Sequence, residues 1–399
     1  MGKNVSAPAV GLPTLKISRR GAGRLQDGHA WVYRSDILAV DRIPPGALVN
    51  VTDERGRFLG TAFYSSSSQI AIRMLSTEAV SDLSGLLRGR IQAAITYRER
   101  IVENTDAYRV VFSEADFLPG LIVDRYNDLL SLQVLTQAMD AESVRNLVLS
   151  ELSERLKPAA IIERVDPRVR TLEQLLFRSS GLIRGEKSTT VFSMNGVQVH
   201  FDAMEGQKTG AFLDQRENYA AAAKYARGEA LDVFCYQGGF GLHLAQHCSK
   251  VVGVDSSRTA LEVAEKNAAL NHREIEWIEG NAFDLLRDYA DSGHQYDTII
   301  LDPPAFAKSR RTLDTAMRGY KELNLRALKM LRPGGILVTC SCSYHVSEAE
   351  FLEVVAQAAR DVHRNLRMLE KRTQAKDHPI LLTVPETAYL KCFITSASC

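Results

Sequence analysis

No run of about 18 uncharged apolar residues occurs in the 399-residue chain, so no segment reads as a membrane-spanning helix. The opening residues, MGKNVSAPAV, also lack the apolar stretch of a secretory leader. Cysteine is sparse. The six residues, Cys235, Cys248, Cys340, Cys342, Cys392 and Cys399, all lie in the second half, with no framework spacing. That pattern argues against a stapled secreted domain and makes a reducing cytoplasm the expected location. Net charge is nearly absent, at +1, which taken alone gives no reason to expect a nucleic-acid partner. The balance is uneven, however: residues 1–90 carry 12 Lys+Arg against 7 Asp+Glu, and the remainder carries 37 against 41. A weakly basic segment therefore precedes a mildly acidic one.

What is present is globular: 45% hydrophobic and 24% charged residues, at a length suited to two or three domains. Three segments are expected. Residues 1–82 contain short apolar runs split by Gly, Pro and Asp-Glu clusters, the pattern of a small β-barrel. Its basic cluster, Lys16, Arg19, Arg20 and Arg24, includes SRRGAGR, whose glycines would let backbone approach an RNA phosphate. Residues 83–195 mix α and β. A helix is expected from Leu83 to about Glu103, a strand pair turning at Asn127-Asp128, a helix capped by Asp140, and a hairpin turning at Asn195-Gly196. Residues 196–399 alternate strands and helices with near-continuous apolar strands, which implies a buried parallel sheet with its ligand beyond the C-terminal strand ends.

Every chemical candidate falls at such an end. The strand carrying Asp232 and Phe234 runs into a turn with Gly238, Gly239 and Gly241, then a helix. The next strand ends at Asp255, where a carboxylate can accept both hydroxyls of a ribose. No GxGxxG spacing occurs and no basic residue stands where a pyrophosphate would need one, so an adenosine without phosphates fits better than a dinucleotide. Asn281, Ala282 and Asp284 follow the third strand, positioned to receive the adenine amino group. Asp302 ends the fourth strand, and Pro303-Pro304 makes the turn after it rigid, a wall against which a flipped base can stack.

Gly-rich turn, ribose acid, Asn-Ala and Asp-Pro-Pro, in that order, resemble a class I S-adenosylmethionine-dependent methyltransferase. The segments GQKTGAFLDQREN, DPPAFAKS, RGYKELNLRAL, SCS and DHPILLTVPETAYLK are similar to the bacterial large-subunit (23S) ribosomal RNA cytosine-5 methyltransferase I family, and the likeness covers nearly the whole chain. It implies a PUA domain first, a small α/β domain second and a Rossmann-like, seven-stranded methyltransferase domain last. It further implies S-adenosylmethionine as cofactor and large-subunit ribosomal RNA as partner, with a role in RNA binding for the basic barrel. By the same resemblance Gln207, Lys208, Phe212 and Arg216 close over the methionine part of the cofactor, with Arg216 opposite its carboxylate. Oligomeric state is not readable, a homodimer being one option.

The run LVTCSCSYH poses the remaining question. A disulfide between Cys340 and Cys342 is awkward, because i and i+2 side chains on a strand stand about 7 Å apart. Zinc needs about four ligands and only Cys340, Cys342 and His345 cluster, so no metal is expected. The family's SCS motif matches Ser341, Cys342 and Ser343, which makes Cys342 the implied nucleophile. Cytosine C5 is too weak to take a methyl group until a thiolate has added at C6. Ser347 and Glu350 form a capping box just beyond, and Cys340 reads as core filler. A second cysteine after the proline of the Asp-Pro motif is absent, Pro304 and Ala305 standing there, so release by a second thiol has no support. Asp302 is expected to bond the cytosine edge. Alternatives kept open are methylation of a guanine or an exocyclic amine without an adduct, an inert Cys342, and a non-catalytic RNA-binding protein. His243, His247 and His378 are expected to be surface or packing residues.

Overall fold

The computed structural model describes residue 9 and residues 11–39, 42–204, 211–307 and 309–398. The chain forms two compact units. The first holds the described residues up to Thr190, those of Asp202–Gly210, and Lys376–Thr387; the second holds Val191–Phe201, Ala211–Ala375 and the chain from Ala388 onward.

The first unit begins with a six-stranded sheet. Its spatial order is Trp31–Tyr33, Ile70–Ser76, Phe58–Tyr64, Leu48–Thr52, Thr14–Ile17, Ile37–Ala39. Period-2 alternation decides which side chains go inward: Leu15 and Ile17 are buried while Thr14 and Lys16 are exposed. SRRGAGR, whose glycines are expected to let backbone approach a phosphate, forms most of a helix, Arg19–Gln26, which Ser18 caps by accepting from Gly21 N. The Asp36 and Val32 side chains press on Gly21, while a Cβ at Gly23 would meet open space.

Helix Leu83–Ile101 follows, then a second sheet ordered Gly181–Arg184, Ala160–Glu163, Leu129–Val134, Leu121–Tyr126, Ala107–Phe112. Segments expected as separate domains, 1–82 and 83–195, share one apolar core here: Phe63 and Leu75 of the first sheet pack with Leu87, Ile91, Val111 and Leu130. Asp140 does not cap the helix Glu142–Leu156, whose N-cap is Ala141. Its carboxylate instead takes Arg170 at 3.0 Å. The expected cut after residue 195 falls in the tight turn of a hairpin, Thr189–Met194 and Val197–Asp202, where Asn195 and Gly196 have φ of 53° and 81°.

The second unit is built on seven strands, β1 Glu229–Val233, β2 Lys250–Asp255, β3 Glu276–Glu279, β4 Tyr296–Leu301, β5 Leu331–Ser341, β6 Asn365–Arg372 and β7 Lys391–Ser398. Their spatial order is β3-β2-β1-β4-β5-β7-β6. β1 to β5 run parallel, and β7 is antiparallel to both β5 and β6. Order reverses between β1 and β4, so the crevice at that switch opens beyond Val233 and Leu301. Leu231, Val254, Ile299 and Leu337 of the central strands are fully buried, as strands covered on both faces require.

Candidate active site

At the end of β1 the chain enters a turn that two non-glycine residues make in the left-handed region, Phe234 at φ 66° and Tyr236 at φ 49°. Such conformations persist where surrounding bonds hold them. Here the amides of Phe234 and Cys235 both donate to Val254 O, at 2.9 and 3.0 Å. Gly238 adopts φ 85°, and a Cβ there would sit 2.7 Å from the Trp277 ring; at Gly239 it would meet the Tyr219 hydroxyl at 2.6 Å. Gly241 N donates to Asp232 Oδ2 at 2.7 Å. The other oxygen, Asp232 Oδ1, is buried without a partner, and burial pushes this carboxyl up to about 7. An orphaned carboxylate oxygen beside the glycine turn suits a ligand ammonium, such as the α-amino group of S-adenosylmethionine.

At the tip of β2 the Asp255 carboxylate accepts from Tyr236 N and Ser257 N, both at 2.9 Å, which fixes it in place with lone pairs to spare for ribose hydroxyls. Asn281 differs from expectation. Its Oδ1 caps helix Ala282–Asp291 by accepting from Phe283 N and Asp284 N, at 2.9 and 3.3 Å. Next to it Ala282 is buried and Asp284 is exposed. Phe212 meets Tyr236 edge to face at 5.0 Å. Arg216 is 1% exposed, with its guanidinium 3.5 Å from Glu217, so it is not presented as an open receptor for a carboxylate. Gln207 and Lys208 lie outside the described residues.

Asp302, half-buried at the end of β4, accepts from Gln215 Nε2 at 2.9 Å. The Gln215 amide is oriented by a chain: its Oε1 accepts from Asn218 Nδ2 at 2.7 Å, and Asn218 Oδ1 accepts from Arg372 Nε at 2.9 Å. Burial, with the charges of Asp214 and Asp232, raises the Asp302 carboxyl to about 8. An acid held more tightly protonated when folded weakens the fold as pH climbs from its ordinary 3.8 through about 8. Asp302→Asn removes that penalty. In urea unfolding without cofactor the variant should gain at least about 1 kcal/mol over the parent at pH 8.5, and much less near pH 5.

The SCS motif is pinned on both sides of its cysteine. Ser341 Oγ donates to the Tyr320 hydroxyl at 3.0 Å; Tyr320 in turn bonds Ser343 Oγ at 2.9 Å, and Ser343 Oγ accepts from Ala307 N at 3.2 Å. Tyr320 therefore ties the turn after β5 to the turn after β4. Cys342 is half-buried, its sulfur 3.8 Å from Pro303 O, which puts it beside the Asp-Pro-Pro turn. Exposed Pro304 and Tyr344 and half-buried Phe306 are neighbours in these same two turns. Cys340 is fully buried opposite Cys392, and its thiol is pushed far up by burial. The Ser347 and Glu350 capping box forms, at 2.7 and 3.2 Å.

Sequence reasoning passed over Gln215, Asn218, Tyr320, Arg372 and Lys391. The first three lie inside LDQREN and RGYKELN and Lys391 closes DHPILLTVPETAYLK, so the motifs held the signal; Arg372 acts through Asn218, distant in sequence. In the first unit Lys16 and Arg19 are exposed, whereas Arg20 and Arg24 bind buried Asp36 at 2.8 and 3.3 Å. His243 and His378 are buried. His243 Nδ1 lies 2.7 Å from Gly239 O, and burial pushes the ring down to about 4, which makes Nδ1 the protonated nitrogen. Among the described residues no group of acids, histidines and cysteines is arranged to hold a metal, and no helix is long and apolar enough to cross a membrane.

Comparison with known proteins agrees with this geometry. Residues 15–77 match a PUA-like domain, and residues 148–391 match the S-adenosylmethionine-dependent methyltransferase family. The chain is 40% identical to the Ribosomal RNA large subunit methyltransferase I of Tolumonas auensis, covering 92% of this chain and 95% of that one. It is 39% identical to the protein of the same name from Aeromonas hydrophila, with the same coverage. In fold it resembles SMU.776 in complex with SAH, at a TM-score of 0.83 and 18% identity, covering 96% of this chain and 100% of that one. These matches establish that the chain belongs to the ribosomal RNA large subunit methyltransferase I family, an S-adenosylmethionine-dependent methyltransferase domain preceded by a PUA-like domain.

Proposed function

We propose that this protein methylates carbon 5 of a cytosine in large-subunit ribosomal RNA through a covalent adduct of Cys342. The observation that carries the reading is the placement of the Cys342 sulfur 3.8 Å from Pro303 O, one residue from Asp302, beyond the strands that flank the cofactor crevice. Asp232, Asp255 and the glycine turn would hold S-adenosylmethionine, which supplies an electrophilic methyl group when bound. The Cys342 thiolate adds to C6 of the base, and the electrons of the C5–C6 double bond move toward N3. Asp302, protonated near neutral pH, gives its proton to N3 and is left as a carboxylate. C5 is then nucleophilic and takes the methyl. Loss of the C5 proton to the Asp302 carboxylate or a water breaks the C6–S bond, restores the double bond and returns the thiolate, while N3 gives up its proton to whichever of the two did not take the one from C5. Pro303 and Pro304 keep this turn stiff, and half-buried Phe306 offers a ring on which a flipped base can stack.

Recognition of the RNA is assigned to the PUA-like domain, with exposed Lys16 and Arg19 as phosphate contacts and Arg20 reaching outward from Asp36. The relatives named above are large-subunit ribosomal RNA methyltransferases, which supports the same substrate here and a reducing cytoplasm as the place of work. The test is to incubate the protein with labelled S-adenosylmethionine and unmodified large-subunit ribosomal RNA, digest, and identify the labelled nucleoside. 5-Methylcytidine is expected. Label on a guanosine or on an exocyclic amine would overturn the reading.

A further inference from the structure

Lysine is seldom buried without a reason. Lys391, the first residue of β7, is only 9% exposed and stands directly opposite Ser341 of β5. Its ammonium donates to three backbone carbonyls: Ser343 O at 2.7 Å, Val346 O at 2.8 Å and Tyr389 O at 3.0 Å. An ammonium has three donors and no acceptor, so this cage matches the charged form; a neutral amine would aim its lone pair at a carbonyl. Two of the three carbonyls belong to the turn that begins at Cys342. Nothing in the reaction scheme above uses this buried charge.

We propose that Lys391 is a positioning residue for methyl transfer, holding the turn that carries Cys342 and keeping its sulfur in the ionised form through a buried positive charge. The inference rests on Cys342 being the nucleophile. Burial drives the Lys391 ammonium down to about 8, opposed by the charges of Cys342 and Glu350, so the sulfur and the ammonium already act on each other across this turn. The other ionisable groups facing the turn are committed elsewhere or stand farther along it. Glu350 is bound to Ser347 by the capping box and attracted by Arg310. The Tyr320 hydroxyl is taken by Ser341 and Ser343. Asp302 accepts from Gln215, and His345 packs edge to face on Tyr344 within the turn itself. Among the described residues Lys391 is thus a cation whose donors meet the backbone next to the sulfur, where its field favours thiolate over thiol.

The experiment measures the rate of iodoacetamide alkylation of Cys342 against pH in the full-length protein, read peptide by peptide by mass spectrometry. Half-buried Cys248, whose thiol is raised to about 11 by burial and by Asp297, is the internal reference. In the unaltered protein Cys342 should reach half-maximal rate below the ordinary thiol range of about 8.5. Lys391→Met should slow its alkylation at pH 7 by about tenfold and move the midpoint upward, with Cys248 unchanged; Lys391→Arg, which keeps the charge, should restore most of the rate. A midpoint in the unaltered protein at or above that of an ordinary thiol overturns the proposal without any variant. So does a Lys391→Met profile that coincides with the parent's. No RNA or methyl donor enters the measurement, so a failure of the covalent reading, seen as an active Cys342→Ala, is separate from a failure here.

Discussion

Cys342→Ala should lower methyl transfer to ribosomal RNA by at least about 10³-fold, equivalent to about 4 kcal/mol of transition-state stabilisation, with cofactor affinity nearly unchanged. The expectation rests on chemistry and on place. Without a thiolate at C6 the cytosine ring has no enamine to offer, and the neighbouring Cys340 cannot substitute, being fully buried against Cys392 on the strand side of the same turn. Cys340→Ala should therefore stay active, within about tenfold of the parent, the deficit reflecting the small cavity left opposite Cys392. Single-turnover transfer of labelled methyl to RNA, with equilibrium binding of S-adenosylmethionine measured in parallel, separates the two effects. Full methylation by Cys342→Ala discards the adduct and leaves only a methyltransferase that acts by direct displacement.

The largest structural effect is expected far from the chemistry. Arg98 is 1% exposed in the helix Leu83–Ile101, yet its guanidinium is fully engaged. Nε donates to Arg109 O at 2.9 Å, one terminal nitrogen to Asp377 O at 2.7 Å, and the other pairs with Asp116. Arg98→Ala leaves a buried carboxylate and two buried carbonyls without their donor, a loss of about 3–5 kcal/mol. Trp31, which donates to Glu114 in the same unit, reports the transition; with Trp277→Phe as background it is the remaining tryptophan. Urea unfolding followed by Trp31 fluorescence should show the midpoint fall steeply. A change under about 1 kcal/mol would mean that the buried network is energetically neutral, as some replaced ion pairs are.

Arg98 also marks a limit of sequence reading. Regular β/α alternation, the glycine turn and the carboxylates at strand ends are local patterns, so the five parallel strands of the second unit and the ends that face the crevice were legible from residues 229–342. Asp140 illustrates the opposite case. It has the composition of a helix cap, but Arg170, thirty positions away, claims its carboxylate, and no window of sequence contains that partner. SRRGAGR adds a related case: only the approach of Asp36 and Val32, outside the segment, explains why the helix there needs Gly21. Asn281 was assigned to the ligand because side-chain oxygens at a strand end suit one, while the helix that begins at Ala282 had the nearer demand. Pairings along the chain were readable; pairings across it had to be seen.

β7 has a consequence for biogenesis. It pairs with both β5 and β6 although it follows both in the chain, so a nascent polypeptide leaving the ribosome carries two strands with bare edges until residues 391–398 emerge. The same strand begins with Lys391, whose three bonds close the turn behind Cys342. Under the proposed role of Lys391, thiol activation waits on the final step of sheet assembly, and a chain stalled before that step would display an incomplete edge to chaperones rather than a reactive sulfur to the transcripts around it.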